Sequence, residues 1–241
     1  TGLSKDFPIT PFTKKKALYD FNLTIPFGES WAILGANGSG KSTLFKITLG
    51  FLKPSSGEAL IGNYRAGSSG AKALVGYLPE NPRHQKFLTG QQVLIYYGSL
   101  TGLQGKSLIS EVDKTLELVG LLNARHERTR GYSKGMGQRL AIAQAMMNNP
   151  KVLIFDEPMS GLDPMGRREV RNILKHIRES FPGTTLVFST HVLSDIEELS
   201  TSVALIKQGQ LVHTSTTASF LGSQTLNYRI LFKVSDTVPK E

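Results

Sequence analysis

The 241-residue sequence predicts an α/β fold with a mainly parallel sheet, an antiparallel β subdomain and an inserted α-helical subdomain. Three observations carry that expectation. Short apolar runs at Trp31–Leu34, Lys151–Asp156 and Thr185–Thr190 each lead through a glycine or polar turn into a helical pattern, the rhythm of parallel βαβ units. The stretch at about 82–150 changes character to helices. Val203–Lys207 and Gln210–His213, joined at Gln208-Gly209, read as a hairpin.

Taken in order, residues 17–34 first alternate (Leu18, Phe21, Leu23, Ile25) and then run apolar into a buried strand ending at Gly35. Ser42–Leu49 read as a helix stopped by Gly50 and Pro54, and Val75–Leu78 as a short strand closed by Pro79. Thr89 with Gln92 forms a capping box ahead of Val93, Leu94, Tyr96 and Tyr97. Leu108, Val112, Leu116 and Val119 recur at helical spacing, with Gly120 as the stop. A third helix is expected from about Gly137 to Met147, before Pro150. The tail from Leu226 to Val234 reads as one further strand. The expected organisation is one domain over 1–220, with the helical subdomain at about 82–150, and a tail at 221–241.

Composition narrows the function classes. An apolar share of 39 % supports a real core, and no run approaches the roughly 18 apolar residues of a membrane helix. Thr1-Gly2-Leu3 does not open a signal-peptide pattern. With no cysteine there is no disulfide, thiolate metal site or cysteine nucleophile, which fits a cytoplasmic protein. The net charge of +9 gathers at Lys14–Lys16, Arg125–Arg130 (with Glu127 inside) and Arg167-Arg168. No aromatics interleave these clusters as a base-stacking platform requires, so a solvated, membrane-adjacent surface is expected rather than nucleic acid.

Two segments carry the chemistry. Gly35-Ala36-Asn37-Gly38-Ser39-Gly40-Lys41-Ser42 matches G-x-x-x-x-G-K-[ST] between an apolar strand and a helix. Its glycines let successive N–H groups converge on phosphate oxygens, and the helix adds its positive end. Lys41 is expected to reach the β- and γ-phosphates and the Ser42 hydroxyl to ligate Mg²⁺. The predicted core is thus that of a P-loop NTPase. Val152–Phe155 ends in Asp156 and Glu157, carboxylates at the end of a buried parallel strand. Asp156 is expected to hold the Mg²⁺ shell through water, and Glu157 to act as general base on the attacking water.

Five further segments in order resemble the ATPase subunits of ABC transporters, over residues 5–220. Tyr132-Ser133-Lys134-Gly135-Met136 resembles the family's L-S-G-G-Q signature, and Met159-Ser160-Gly161-Leu162-Asp163 its D-loop. Ser189-Thr190-His191 resembles the switch histidine segment, Phe12 aligns with the adenine-stacking aromatic, and Leu78-Pro79-Glu80 occupies the Q-loop position. The resemblance implies ATP and Mg²⁺ as cofactors, with phosphate contacts from Gly35, Asn37, Gly38, Ser39, Gly40, Lys41, Ser42 and Thr43. It implies a head-to-tail pair of cassettes, in which Ser133 and Gly135 cap the partner's ATP, Asp163 lies near its phosphate loop, and His191 contacts the γ-phosphate. Plainer readings stand beside these: Phe12 as a core aromatic, His191 as a satisfied strand-end histidine, Ser133 as a helix cap.

Two departures from the family pattern are visible. Glu80 replaces the usual Gln, which favours Mg²⁺ but opposes the γ-phosphate charge, so both a catalytic and a metal role are assigned to it. The signature has Tyr132, Lys134 and Met136 for Leu, Gly and Gln. The function implied is the ATP-binding and ATP-hydrolysing subunit of an export-type ABC transporter, peripheral on the inner face of the cell membrane. Its implied partners are a separate permease, contacted around Arg83–Leu88, and a second, identical subunit. An ATP-dependent regulatory clamp or a non-transport ABC ATPase is the alternative.

Overall fold

The apolar runs become neighbouring strands of one sheet. The computed structural model describes residues 1–10, 13–147 and 149–222. The chain begins β1 (Leu3–Thr10), β2 (Thr13–Phe21), β3 (Ser30–Leu34) and α1 (Lys41–Thr48). Next come β4 (Leu60–Ile61), β5 (Tyr64–Arg65), α2 (Ser69–Leu74) and β6 (Val75–Leu78). Three helices follow, α3 (Gly90–Leu100), α4 (Gly105–Leu118) and α5 (Lys134–Met146). Then β7 (Val152–Phe155), α6 (Pro164–Ser180), β8 (Thr185–Thr190) and α7 (Leu193–Leu199) alternate. Finally, β9 (Ser202–Lys207), β10 (Gln210–Thr216) and α8 (Thr217–Gly222) close the described chain.

The main sheet has the order β10-β9-β3-β8-β7-β6, with every pair parallel except β9 and β10. Its inner strands divide their side chains between two cores, as the pleat requires. Ala32, Leu153, Phe155, Leu186 and Phe188 face the core shared with α3–α6. Ile33, Val152, Ile154 and Val187 face the other, filled by Leu44, Phe45 and Ile47 of α1 and by Leu3, Leu18 and Phe21 of the β1–β2 pair. β1 and β2 form a separate antiparallel sheet, as do β4 and β5.

Local chemistry sets the helix ends. Thr89 and Gln92 form the expected capping box at α3. The helix expected from Gly137 begins at Lys134 instead, because Ser133 caps it with its hydroxyl accepting the Met136 N–H at 3.1 Å. Gly135 and Gly137 each disfavour a helix by about 1 kcal/mol. The cap and the burial of Leu140, Ile142 and Met146 outweigh them. β1, β4, β5, α2 and α8 are additional to the sequence reading. Residues 223–241, with the strand expected at Leu226–Val234, lie outside the described residues, and α8 spans the expected boundary at 220. Among the described residues no helix is long and apolar enough to cross a membrane.

β6 and α5 meet backbone to backbone at Gly76. A Cβ there would collide with the carbonyl oxygen of Ala145 and come within 2.8 Å of Leu153 Cδ2. Because the main obstacle is backbone, it cannot rotate away. Gly76→Ala should destabilise the fold by about 1–3 kcal/mol. Chemical denaturation checks it, and an unchanged midpoint would refute this account of the contact.

Candidate active site

The C-terminal ends of β3, β8 and β7 stand side by side, with Leu34 level with Thr190 and Phe155 level with Phe188. Each of the chemistry-bearing turns leaves one of these ends, where parallel sheets gather ligand-binding groups. After β3 the chain curls through Gly38 (φ 78°) and Gly40 (φ 115°), conformations that need glycine. No side chain caps α1, so its first amides and positive end meet no side-chain acceptor at that terminus. The Ser39 hydroxyl is buried and has no hydrogen-bond partner in the protein.

Lys41 is buried and turned into its own loop. Its Nζ donates to the carbonyls of Gly35 (2.7 Å) and Ala36 (3.3 Å) and lies 3.2 Å from Glu157 Oε1. The other Glu157 oxygen lies 3.0 Å from His191 Nδ1. One carboxylate thus joins the turns after β3, β7 and β8. Glu157 has φ 48°, a left-handed conformation that costs a non-glycine residue on the order of 1–3 kcal/mol. Its N–H donates to Ser189 Oγ at 2.7 Å, and that hydroxyl donates to Asp156 Oδ1 at 2.7 Å. Ser189 therefore holds both carboxylate residues of the turn.

A cleft of about 560 Å³ opens on this group, within the range of small-ligand sites. Asn37, Gly38, Gly40, Lys41, Ser42 and Thr43 line it, with Glu80 and Glu157 opposite. The sequence reading had missed Phe7, Lys15 and Lys16, which form its rim. Phe7 pairs across the β1–β2 ladder with Lys15, so strand pairing was the signal that could have found it. Phe12 lies outside the described residues. Tyr77, on β6, has its phenol pushed up to about 12, by burial first and then by the charges of Asp156 and Glu80.

Ser133, Gly135 and Asp163 are not brought to this cleft but form a second group. Ser133 caps α5, and Asp163 caps α6 by accepting the Gly166 N–H at 3.0 Å. A Cβ on Gly135 would lie 3.9 Å from Gly166 Cα, so the two helix starts adjoin. Tyr132 has a structural part as well, its hydroxyl donating to Ala124 O at 2.8 Å. His84 links the segment after Glu80 to α5, its Nε2 lying 2.9 Å from Gly137 O. Burial lowers its pKa from the ordinary 6.5, partly opposed by that bond.

The donors present suit a nucleotide with Mg²⁺. The uncapped helix start and unpartnered Ser39 hydroxyl favour an anion. Among the described residues no three His, Asp or Glu side chains gather to hold a metal. Ser42 and Glu80 line the cleft and Asp156 adjoins Glu157 at the end of β7; their oxygens are hard donors that would suit Mg²⁺.

Comparison with known proteins gives the chain's family and fold. The family model described as "ABC transporter" matches residues 18–160. An uncharacterized ABC transporter ATP-binding protein of Nostoc sp. is 39 % identical over 213 residues, covering 88 % of this chain and 63 % of its own. The bacitracin transport ATP-binding protein BcrA of Enterococcus faecalis is 39 % identical, with 88 % and 66 % covered. The chain spans less than two thirds of the length of these relatives. The structure of cbiO1 from Clostridium perfringens, part of the ABC transporter complex cbiONQ, superposes with a TM-score of 0.79 at 29 % identity, covering 92 % of this chain and 91 % of that one.

The lowered His84 pKa gives a pH dependence of definite sign. The unfolded chain takes up the proton first as pH falls through about 6.5, so His84 contributes stability in full above that pH. The contribution is lost as pH falls towards the lower folded value. His84→Gln keeps a donor for Gly137 O but does not titrate, and should flatten the fall of Tm between about pH 7.5 and 5. Parallel Tm profiles for the two proteins would show the assignment to be wrong.

Proposed function

This chain belongs to the ABC transporter family, and we propose on that premise that it is the ATP-binding, ATP-hydrolysing subunit of a transporter whose membrane permease is a separate polypeptide. The observation that carries the reading is the meeting of Lys41, Glu157 and His191 at the mouth of the phosphate loop. A positive loop, a buried carboxylate and a histidine are parts that can position and deprotonate a water for attack on a phosphoryl group.

In this reading Gly35, Asn37, Gly38, Ser39, Gly40, Ser42 and Thr43 cradle the phosphates, and Phe7 or Phe12 stacks on adenine. Lys41 exchanges Glu157 and its loop carbonyls for phosphate oxygens. Glu157, released from Lys41, takes the proton of a water whose oxygen attacks the γ-phosphorus, and the bond to the β-phosphate oxygen breaks. His191 keeps its bond to Glu157 and fixes the carboxylate's direction. Mg²⁺, when bound, supplies charge neutralisation at the phosphates. Ser42, Asp156 and Glu80 are the residues that would hold it. Ser133, Gly135 and Asp163, set apart from the cleft within one chain, face the nucleotide of a second copy, with Lys134 adding charge.

The names of relatives support the wider setting. BcrA is named for bacitracin transport and LnrL of Bacillus subtilis for linearmycin resistance, which favours export. The permease contact is placed at Arg83–Leu88, at the inner face of the cell membrane. Glu157→Gln should lower kcat about 10²–10⁴-fold. In sedimentation it should pass from monomer to dimer when Mg-ATP is added. Full activity in this variant would remove Glu157 as the base, and a monomer at saturating Mg-ATP would remove the shared site.

A further inference from the structure

One buried carboxylate has no part in the chemistry above. Asp195, in the first turn of α7, is 1 % exposed. Its Oδ1 accepts an N–H from Arg171 at 2.7 Å, and the Arg167 guanidinium lies 3.9 Å from its Oδ2. Both arginines stand on α6 four residues apart, so they share the face turned towards α7. A carboxylate so withdrawn from water is tolerated only when it is paired and hydrogen-bonded.

Its third partner leads to the active site. The Thr190 hydroxyl donates to Asp195 Oδ2 at 3.2 Å and accepts the Val192 N–H at 3.0 Å. One buried hydroxyl therefore touches both flanks of His191. Donating to Asp195 fixes the direction of its lone pairs, and hence of the amide bond that closes the turn. The His191 side chain is 52 % exposed, so packing does little to hold it, and its direction follows the backbone turn. At its other end α6 starts at the cap Asp163.

We infer that Asp195 is a positioning residue for hydrolysis: through the Thr190 hydroxyl it sets the turn that aims His191 at Glu157. Through Arg167 and Arg171 it ties that aim to α6. The inference rests on the reading of His191 as part of an ATPase site. A carboxylate serving only to join α6 to α7 would have no need of Thr190, and the exposed Arg171–Glu198 pair at 2.9 Å already joins those helices.

Thr190→Val keeps the shape of the residue, removes the hydroxyl and leaves the Asp195–arginine pairs intact. In steady-state assays of the full chain with Mg-ATP, kcat should fall about tenfold with KM nearly unchanged. In a His191→Ala background the same substitution should change kcat by less than about twofold, because its effect passes through His191. Asp195→Asn should reproduce the kcat loss if it folds, and Thr190→Val decides the matter if it does not. No loss on Thr190→Val, or an equal loss with and without His191, overturns the inference. A wild-type chain that does not turn over ATP, or His191→Ala at the wild-type rate, would instead overturn the ATPase reading itself.

Discussion

Val152 and Ile154 point into one core, Leu153 and Phe155 into the other, and none of the four has appreciable contact with water. A strand sealed on both faces can carry ionisable groups only where it leaves the sheet. The same holds for β8 beside it and for β3 beyond β8. Lys41, Glu157 and His191 therefore crowd onto one edge of the sheet, within reach of one another. The register sets which groups meet. Phe155 level with Phe188 puts Asp156 beside Ser189, and Leu34 level with Thr190 puts the start of the phosphate loop beside His191.

The crowding has an electrostatic result. Lys41 is held by two carbonyl oxygens and a carboxylate, all acceptors. Its present partners are what a phosphate would replace, so the cation is stabilised before and after the exchange. Glu157 would change partners in the same event, and it does so from a left-handed backbone position, φ 48°.

The parts of this arrangement that were legible in the sequence are those fixed by near neighbours in the chain. Gly35–Ser42, the Thr89–Gln92 cap and the bounds of Val75–Leu78 each depend on a few consecutive residues. Phe7 was not legible, because its place at the cleft comes from pairing with Lys15, and Pro8 beside it argues against a strand until the edge position is known. The start of α5 was hidden by two glycines whose cost the Ser133 cap offsets. Ser189 entered the sequence reading only as part of the switch-histidine segment, and Asp195 carried no signal there. Their roles rest on partners 33 and 24 residues away.

Gly76 also has a mechanical meaning. With no side chain between them, β6 and α5 touch at Ala145 and cannot slide past one another without backbone collision. The contact is a fulcrum near one end of a rigid rod. Ser133 lies twelve residues along that rod, a lever arm of about 18 Å at 1.5 Å per residue. A tilt of about 10° swings the Ser133 end by about 3 Å, roughly the length of one hydrogen bond. Rotation on that scale would thus make or break contacts at the far tip, and it would have to carry the buried Leu140 and Ile142 with it.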